Sequence, residues 1–361
     1  MLNVCFLSGD ISRTGGTERV LSIIANELSK KDDKFNIHIL SINNESNSSY
    51  FTLNKSIKTE RILKSKDVNF KKHYFQVLKG IRQYIKNNNI DILIDVEVIA
   101  SLFSIPATLF TKTRLIAWEH FNFYEDNGSS LRVFSRKLIS RFSDCIITLT
   151  EQDKINYLNN LKIKGKIDFI YNPIENGDRI SCDIKAKQLI SVGRLTYQKG
   201  FDMLCEIAKE VLKDNPDWKW IILGDGEDKE RLESKIKEYN LQGKLILKGK
   251  VSNVEDYYKN SSLYVMTSRF EGLPMTLLEA KSYKLPIVSF NCLTGPSEIV
   301  RNNINGFLIE TGNVAAMVNK IGILLSDINK REDFSNKSNL DIEKFRLKPI
   351  VDKWENILIN L

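Results

Sequence analysis

The apolar positions of the chain fall in two patterns that alternate along its first half. Short runs rich in β-branched residues predict buried strands, and they cover residues 3–8, 36–42, 91–97, 114–120, 144–150 and 166–172. Between several of these runs, as in residues 17–31, the apolar positions recur at the spacing of an amphipathic helix. Strands that alternate with helices predict a parallel, doubly wound α/β sheet.

The alternation stops at residues 174–187, a polar stretch that we interpret as a linker, and then begins again. Further runs predict strands at residues 187–194, 219–226, 244–251, 262–268 and 285–291. We therefore expect two Rossmann-like α/β domains, residues 1–174 and 175–340, that face each other across a cleft. In the remaining segment, 341–361, the apolar spacing of 347–361 predicts a final helix.

The composition narrows the class of protein. Hydrophobic residues make up 42% of the 361 positions and charged residues 27%, which is typical of a globular protein. The five cysteines are odd in number and scattered, which argues against a disulfide framework or a zinc site, and three histidines argue against a multi-histidine metal centre. The N-terminal apolar run is too short for a signal peptide, and no stretch reaches the roughly 18 apolar residues of a membrane span. We expect a cytoplasmic location.

The net charge of +8 is concentrated in one region. Residues 51–86 hold ten Lys or Arg residues and two acids, an excess equal to that of the whole chain. Within this region, residues 70–86 predict a helix with an apolar face and interleaved lysines. Such a helix can face the core with a solvated basic side, or it can contact anionic lipid. A nucleic-acid surface is a weaker interpretation, because no nucleic-acid-binding motif accompanies the charge.

Two glutamates stand out in the second half of the chain. Glu271 lies in the turn after the predicted strand 262–268, and Glu279 lies on the helix that follows. Pro274 suits the first turn of that helix, whose initial backbone N–H groups form a natural anion site. The pattern therefore suits a ligand with hydroxyl groups at both ends and a diphosphate between them.

Basic and glycine residues follow the neighbouring predicted strands. Gly193 ends one strand, and Arg194 and Lys199 lie in the next turn, where a guanidinium fork and an ammonium can hold a diphosphate. Gly224 follows another strand and permits close approach of the backbone to a ligand. The glycine fingerprint of dinucleotide-binding proteins and the phosphate-binding loop of nucleotide triphosphatases are both missing from the sequence.

The first half offers fewer candidates. Gly15 and Gly16 precede a predicted helix and allow its N-terminus to approach a ligand. His120 lies just past the predicted strand 114–120, where side chains meet ligands in open α/β sheets. A flexible loop and a structural histidine are the alternatives for these two features.

Taken together, the motifs resemble one family. They are GGTER (15–19), WEH (118–120), YNP (171–173), VGRLTYQKG (192–200), LGDGED (223–228), KGKV (248–251), SRFEGLPMTLLEA (268–280) and TGPSEIV (294–300). This set, in this order and across nearly the whole chain, resembles the retaining, nucleotide-sugar-dependent glycosyltransferases of family 4, which have the GT-B fold. The most specific part is Glu271 and Glu279 with seven residues between them and a Gly-Leu-Pro after the first. The chain departs from the pattern at YNP, where many relatives have Asn-Gly, so no role is assigned to Asn172.

The resemblance implies roles for individual residues. Glu279 would bind the donor ribose, Glu271 the transferred sugar, and His120 the sugar near the reacting carbon. Arg194 and Lys199 would neutralise the leaving diphosphate. The donor-binding set that it implies comprises Gly15, Gly16, Gly193, Arg194, Lys199, Gly224, Val251, Glu271, Gly272, Leu273, Pro274, Thr276, Leu277 and Glu279. The catalytic set comprises His120, Arg194, Lys199 and Glu271.

The resemblance also implies the chemistry. Transfer would need no cofactor or metal ion, because the two cations take the place of the metal and the sequence has no acidic D-x-D cluster. The donor phosphate would help to remove the acceptor proton on the same face of the sugar, and neither glutamate would be a covalent nucleophile. Residues 341–361 would pack back on the N-terminal, acceptor-binding domain.

We therefore expect transfer of a hexose or N-acetylhexosamine, most simply from a UDP-sugar, to a growing surface glycan. The resemblance is closest to bacterial enzymes of capsule, O-antigen and oligosaccharide synthesis, whose acceptors include undecaprenyl-diphosphate-linked glycans. Peripheral contact with the inner face of the plasma membrane would fit that setting, and no nucleic acid partner is expected. The alternatives are a nucleotide-sugar epimerase of the same fold, a non-catalytic partner of a glycosyltransferase and, more distantly, an NAD-dependent dehydrogenase.

Overall fold

The computed structural model describes residues 1–46, 48–65, 70–126, 128–174 and 181–361, with only the backbone for residues 70 and 71. Most of the predicted linker, residues 175–180, therefore lies outside the described residues. The chain divides into two compact units. The first comprises Met1–Pro173 and Leu347–Leu361, and the second comprises Ile174–Arg346.

Within its described residues, the first unit is built on a seven-stranded parallel sheet with the order β3-β2-β1-β4-β5-β6-β7. Its strands are β1 (Leu2–Ser8), β2 (Phe35–Asn43), β3 (Lys58–Leu63), β4 (Ile92–Val96), β5 (Arg114–Trp118), β6 (Cys145–Thr148) and β7 (Lys166–Phe169). The central strands are almost continuously apolar because helices cover both faces of a parallel sheet. Strand β3 was not predicted, since it lies at the edge and its first residues are exposed and polar.

The helices of the first unit connect successive strands. They are α1 (Gly16–Ser29), α2 (Phe70–Asn87), α3 (Ser101–Thr108), α4 (Ser130–Phe142) and α5 (Glu151–Asn160). The chain's last helix, α13 (Leu347–Ile359), also belongs to this unit but connects no strands. The basic helix α2 packs its apolar side against the core through Val77, Ile81 and Ile85. Its Lys79 and Lys86 are exposed.

The last helix belongs to the first unit although the second unit separates it in sequence. Trp354 is fully buried, and its ring meets that of Trp118 edge-on at 4.8 Å. Glu355 also pairs with Lys34 at 2.5 Å. The helix begins at Leu347, as the apolar spacing predicted, whereas residues 341–346 are part of the second unit, where Ile342–Phe345 forms a short 3-10 helix.

The described second unit contains a six-stranded parallel sheet with the order β10-β9-β8-β11-β12-β13. Its strands are β8 (Gln188–Val192), β9 (Lys219–Leu223), β10 (Leu245–Gly249), β11 (Leu263–Met266), β12 (Ile287–Phe290) and β13 (Gly306–Ile309). Its helices are α6 (Phe201–Asp214), α7 (Lys229–Glu238), α8 (Val254–Lys259), α9 (Met275–Ser282), α10 (Pro296–Ile299), α11 (Val314–Ser326) and α12 (Ile328–Asn336). Strand β13 was not predicted, and it is again a short edge strand.

The described residues include all five cysteines, and each is a free thiol. None of the described helices has both the length and the hydrophobicity that crossing a bilayer requires.

Candidate active site

The strand order of the second unit defines where a ligand can bind. Strand β8 has β9 on one side and β11 on the other, so the direction of chain winding reverses between β8 and β11. In open α/β sheets ligands bind at such a switch point, beyond the carboxyl ends of the strands. Lys199 lies in the segment after β8, and Glu271 lies in the segment after β11.

Lys199 and Glu271 meet at this switch point. The Lys199 Nζ donates to Glu271 Oε1 at 2.6 Å, and the Ser268 hydroxyl donates to the same oxygen at 2.6 Å. Only 6% of Glu271 is exposed, and Thr294 fixes its backbone by donating to its carbonyl oxygen at 2.6 Å. The carboxylate is therefore held in one place by two side chains and its own backbone.

A glycine places Lys199 at this position. Gly200 has φ 64°, and a Cβ there would lie 2.1 Å from the carbonyl oxygen of Thr267. Only glycine can adopt this conformation so close to the neighbouring backbone. The Thr267 hydroxyl completes the connection by donating to the Lys199 carbonyl at 3.1 Å.

Gly193 and Gly224 lie side by side. Gly224 has φ 141°, and a Cβ on it would lie 1.8 Å from the Gly193 carbonyl oxygen. A Cβ on Gly193 would in turn come within 3.3 Å of the Lys199 side chain. These glycines therefore let two loops pack against the lysine stem. Arg194, next to Gly193, is exposed and takes no part in the hydrogen bonds that join Lys199, Ser268 and Glu271.

Glu279 is held by Tyr258, a residue that was not predicted from the sequence. The Tyr258 hydroxyl donates to Glu279 Oε2 at 2.8 Å, and the Tyr258 ring stacks on Tyr283 at 5.2 Å between centroids. Tyr258 is 21 residues from Glu279 in the chain. No local pattern could have indicated the pair, because the fold alone brings α8 beside α9.

The start of α9 differs from the prediction by one residue. Pro274 is the N-cap rather than the first helical residue, and its carbonyl already accepts from Leu277 N at 3.1 Å. The Leu277 amide thus donates a hydrogen bond within the turn. The amides of Met275 and Thr276 come before the first backbone hydrogen bond of the helix. Gly272 and Leu273 lead into this turn, and Gly295, at φ 98°, packs so closely that a Cβ would lie 2.7 Å from the Gly272 carbonyl.

Val251 lies near the same edge of the sheet. It follows β10 by two residues and is half-buried. The carbonyl of Gly249, at the end of β10, accepts from Gly224 N at 2.9 Å. The Val251 loop and the Gly224 loop are therefore neighbours.

His120, in the first unit, is nine-tenths buried. Its ring lies 4.3 Å from that of Trp118, and only 9% of the residue is exposed. Burial lowers the pKa of His120 to about 3, against the opposing charge of Glu119. Among the described residues its Nε2 atom has no hydrogen-bond partner. Burial thus keeps the imidazole neutral.

Glu119, the middle residue of the WEH motif, has a structural role. It is fully buried and accepts from Arg136 Nε at 2.9 Å and from the Tyr157 hydroxyl at 2.7 Å. Burial alone would raise the pKa of this carboxyl, but Arg136 and Arg132 outweigh burial and hold the pKa below its usual range. Glu119 therefore orients α4 rather than a ligand.

The first unit has its own switch point, between β1 and β4. Gly15 and Gly16 follow β1, and a Cβ on Gly15 would lie 2.3 Å from the Glu18 carboxylate. Glu97 follows β4 with φ 93°, a strained value for a non-glycine residue, and accepts from Arg132 at 3.0 Å. Glu97 was predicted to lie within the strand 91–97 and was therefore not a candidate.

The predicted residues therefore form separate groups. Lys199 and Glu271 are in direct contact, Gly193 and Gly224 pack beside Lys199, and Glu279 lies on α9 with its own partner. Gly15, Gly16 and His120 belong to the first unit. Within the described residues, no three His, Cys, Asp or Glu side chains cluster in a way that could hold a metal ion.

Comparison with known proteins gives matches over most of the chain. The family model "Glycosyltransferase Family 4" matches residues 14–176, and the model "Glycosyl transferases group 1" matches residues 179–340. The amylovoran biosynthesis glycosyltransferase AmsD of Erwinia amylovora is 30% identical, over 99% of this chain and 100% of the relative.

A more distant relative comes from Campylobacter jejuni. It is 25% identical over 99% of this chain and 98% of its own, and is named as an α-1,4-N-acetyl-D-galactosaminyltransferase of GalNAc-α-(1→4)-GalNAc-α-(1→3)-diNAcBac-PP-undecaprenol. Among solved structures, a mutant of Staphylococcus aureus TarM in complex with fondaparinux, α-GlcNAc-glycerol and UDP superposes with a TM-score of 0.81. That match covers 99% of each chain at 18% identity, so it establishes the GT-B fold.

Proposed function

The chain belongs to glycosyltransferase family 4 and is a glycosyltransferase with the GT-B fold, and from this premise we propose that it transfers a sugar with retention of configuration. The proposed donor is a UDP-linked hexose or N-acetylhexosamine. The proposed acceptor is a sugar of a lipid-linked glycan destined for the surface of a bacterial cell. The observation that carries the donor assignment is the contact between Lys199 and Glu271 at the switch point of the second unit.

The donor proposal follows from the charges at this switch point. An ammonium has three N–H donors, so Lys199 can hold Glu271 and still donate to a phosphate oxygen. Arg194 is exposed in the turn after β8 and can add a second positive charge. Glu279 lies on α9 with its carboxylate 2.8 Å from the Tyr258 hydroxyl of α8, and it would accept from the ribose hydroxyls. Glu271 would accept from the hydroxyls of the transferred sugar.

The reaction that we propose separates charge between sugar and diphosphate. Cleavage of the glycosyl–phosphate bond leaves negative charge on UDP, and fixed cations and helix amides stabilise it without moving. Lys199, Arg194 and the amides of Met275 and Thr276 supply that stabilisation, so the proposed reaction needs no metal ion or cofactor. The leaving phosphate oxygen takes the proton of the acceptor hydroxyl on the same face of the sugar, and Glu271 positions the donor without bonding to carbon.

The lipid-linked acceptor is proposed from two observations. The relative from Campylobacter jejuni is named for an undecaprenol-diphosphate-linked substrate. In this chain, Lys72, Lys79 and Lys86 are exposed on α2 at positions that share one helix face, and such a face attracts anionic lipid. We place the enzyme at the cytoplasmic face of the membrane on this basis. Lys71, also predicted to contact lipid, has a side chain outside the described residues, and Arg82 donates to the Leu109 carbonyl at 2.9 Å.

The donor can be identified by thermal-shift measurements with UDP-glucose, UDP-galactose, UDP-GlcNAc, UDP-GalNAc and GDP-mannose. One UDP-sugar should raise the melting temperature most, and Glu279→Ala should abolish that increase. Glu206→Ala, an exposed carboxylate paired with Lys235 at 3.0 Å on the same unit, serves as the matched control. An equal shift in Glu279→Ala and wild type would contradict the donor site.

The products formed from the UDP-sugar distinguish a transferase from an epimerase. Incubation of the preferred UDP-sugar without acceptor should yield only slow release of free sugar and UDP. Conversion of that UDP-sugar into its epimer would contradict the proposal. A chain that binds UDP-sugar and neither transfers nor hydrolyses it would be a non-catalytic partner instead.

A further inference from the structure

Helix α4 of the first unit is inverted relative to an ordinary surface helix. Its buried residues are Arg132, Ser135, Arg136, Ile139 and Ser140, of which only one is apolar. Its outward side chains include Leu131, Val133, Phe134 and Phe142, which are 53%, 41%, 53% and 55% exposed. An amphipathic surface helix normally does the opposite and hides its apolar side.

Buried ion pairs fix this orientation. Arg136 donates to Glu119 at 2.9 Å and to the carbonyls of Phe123 and Asn122 at 2.8 Å each. Arg132 donates to Glu97 at 3.0 Å. A rotation that buried the leucine and phenylalanines would break these pairs and leave buried charges without partners, at a cost of several kcal/mol. The outward apolar side is therefore a stable property of the folded unit.

The charge of α4 is entirely positive. It carries Arg132, Arg136, Lys137 and Arg141 and has no acidic residue. Lys137 and Arg141 are exposed and lie on the outward side among the apolar residues. Helix α5 makes a useful contrast, because its exposed Ile155 and Leu158 share that helix with the exposed acid Glu151.

The neighbouring elements add exposed apolar and basic groups. Helix α3 packs against both α2 and α4. Directly after α3, Phe110 is 98% exposed and holds a strained φ of 60°. On α2, Phe75 is 82% exposed and lies between Lys72 and Lys79. Exposed groups of the same character as the outward side of α4 therefore also occur on α2 and after α3, the helix that packs against both α2 and α4.

We propose that the outward side of α4, comprising Leu131, Val133, Phe134 and Phe142 with Lys137 and Arg141, inserts into the interfacial region of an anionic lipid bilayer. We call this set the α4 stripe. An interfacial helix buries its apolar residues at the boundary of headgroups and acyl chains, and its lysines and arginines reach the phosphates. The inference rests on the proposed lipid-linked acceptor, and it assigns apolar insertion to α4 beside the electrostatic contact proposed for α2.

Charge favours lipid over a second copy of the chain as the occupant. Two α4 stripes packed against each other would bring Lys137 and Arg141 of one copy close to the same cations of the other. Like charges at an interface cost binding free energy. Anionic headgroups instead neutralise these residues while the acyl region takes up the apolar side chains.

Vesicle co-sedimentation of the full chain tests the inference. The probes are vesicles of phosphatidylcholine mixed with phosphatidylglycerol and vesicles of phosphatidylcholine alone, each at low and high salt. The triple variant Leu131→Ser/Phe134→Ser/Phe142→Ser should lower the partition coefficient on mixed vesicles at least tenfold, including the fraction that persists at high salt. Lys137→Glu/Arg141→Glu should remove only the salt-sensitive fraction.

The control is Ile155→Ser/Leu158→Ser on α5, which changes exposed apolar residues of the same unit and should bind vesicles as the wild type does. Wild-type partitioning by the triple variant would overturn the inference, as would a wild-type dimer that the triple variant converts to monomers. If the triple variant does not fold, the test is the vesicle binding of Lys137→Glu/Arg141→Glu together with the salt dependence of wild-type vesicle binding. Calorimetric titration of the same preparation with UDP measures donor binding independently of vesicle binding. Loss of UDP binding therefore cannot be mistaken for loss of the membrane contact.

Discussion

At the scale of single residues, His120 has the clearest chemical consequence. Burial lowers the pKa of His120 to about 3, so the imidazole stays neutral throughout the range in which an enzyme is assayed. A neutral ring can donate to or accept from a sugar hydroxyl, but it cannot supply a charge that appears between pH 5 and 8. The histidine would therefore contribute through a hydrogen bond.

We predict that His120→Ala lowers kcat by about a hundredfold, the usual effect of losing one hydrogen bond to a transition state. The shape of the pH profile between pH 5 and 8 should be the same in wild type and variant. Initial rates across this range check the prediction. An inflection near pH 6.5 in the wild type that the variant lacks would show that His120 titrates during catalysis.

The sequence predicted functional residues where a strand end and a motif coincided. Lys199 and Glu271 were both expected, and they are in contact. Ser268 and Tyr258 were not, although each contacts an expected residue. Their positions depend on which strands become neighbours, and a local pattern does not contain that information.

At the scale of elements, α9 carries a second unusual group. Lys281, two residues after Glu279, is 1% exposed and donates to the Ile299 carbonyl at 3.2 Å. Burial lowers its pKa to about 8 from 10.5. Between these two values the unfolded chain binds more protons than the folded one, so stability rises with pH there. Below pH 8 both states are protonated and the cost of the buried charge is complete.

We predict that the wild-type free energy of unfolding rises by roughly 3 kcal/mol more than that of Lys281→Met between pH 8 and pH 10.5. Urea unfolding of both proteins at several pH values measures the difference. Lys229→Met, which removes an exposed lysine of α7, should follow the wild-type curve. Parallel curves for wild type and Lys281→Met would contradict the buried-charge account.

The stability of helix α4 depends on the buried carboxylate of Glu119, which accepts from Arg136 of that helix. Removing the charge of a buried partner leaves the other charge uncompensated and costs about 3–5 kcal/mol. We predict that Glu119→Gln lowers the protection of α4 amides against hydrogen exchange by that amount, whereas Glu151→Gln, an exposed acid of α5, has no effect. Unchanged protection in Glu119→Gln would mean that the ion pair does not orient the helix.

Edge strands explain most of what the element prediction missed. Both β3 and β13 lie at the edge of a sheet, where one side of the strand has no neighbour among the described residues. Strand β3 buries few of its side chains and has no continuous apolar run, whereas β13 is apolar and mostly buried but only four residues long. The central strands, which are buried on both faces, were all predicted, with differences of one to three residues at their ends.

At the scale of the whole molecule, the restart of the alternation near residue 187 indicated two units, and the structure divides the chain between Pro173 and Ile174. The final helix was assigned to the first domain from the family resemblance alone, and it is part of the first unit. Apolar spacing predicted that this helix exists but could not indicate which core would bury Trp354. The concentration of charge in residues 51–86 likewise suggested α2 as a membrane contact, while the inverted side of α4 became evident only from burial.

The most direct test of the account is calorimetric titration of the full chain with UDP. We predict that the wild type binds UDP at one site and that Glu279→Ala and Lys199→Ala each weaken binding at least tenfold, a loss of about 1.4 kcal/mol or more. Tyr258→Phe should weaken it by roughly fivefold, since it removes one neutral hydrogen bond to Glu279. Absence of UDP binding in the wild type, or equal affinity in all four proteins, would contradict the claim that the nucleotide of the donor lies at the switch point of the second unit.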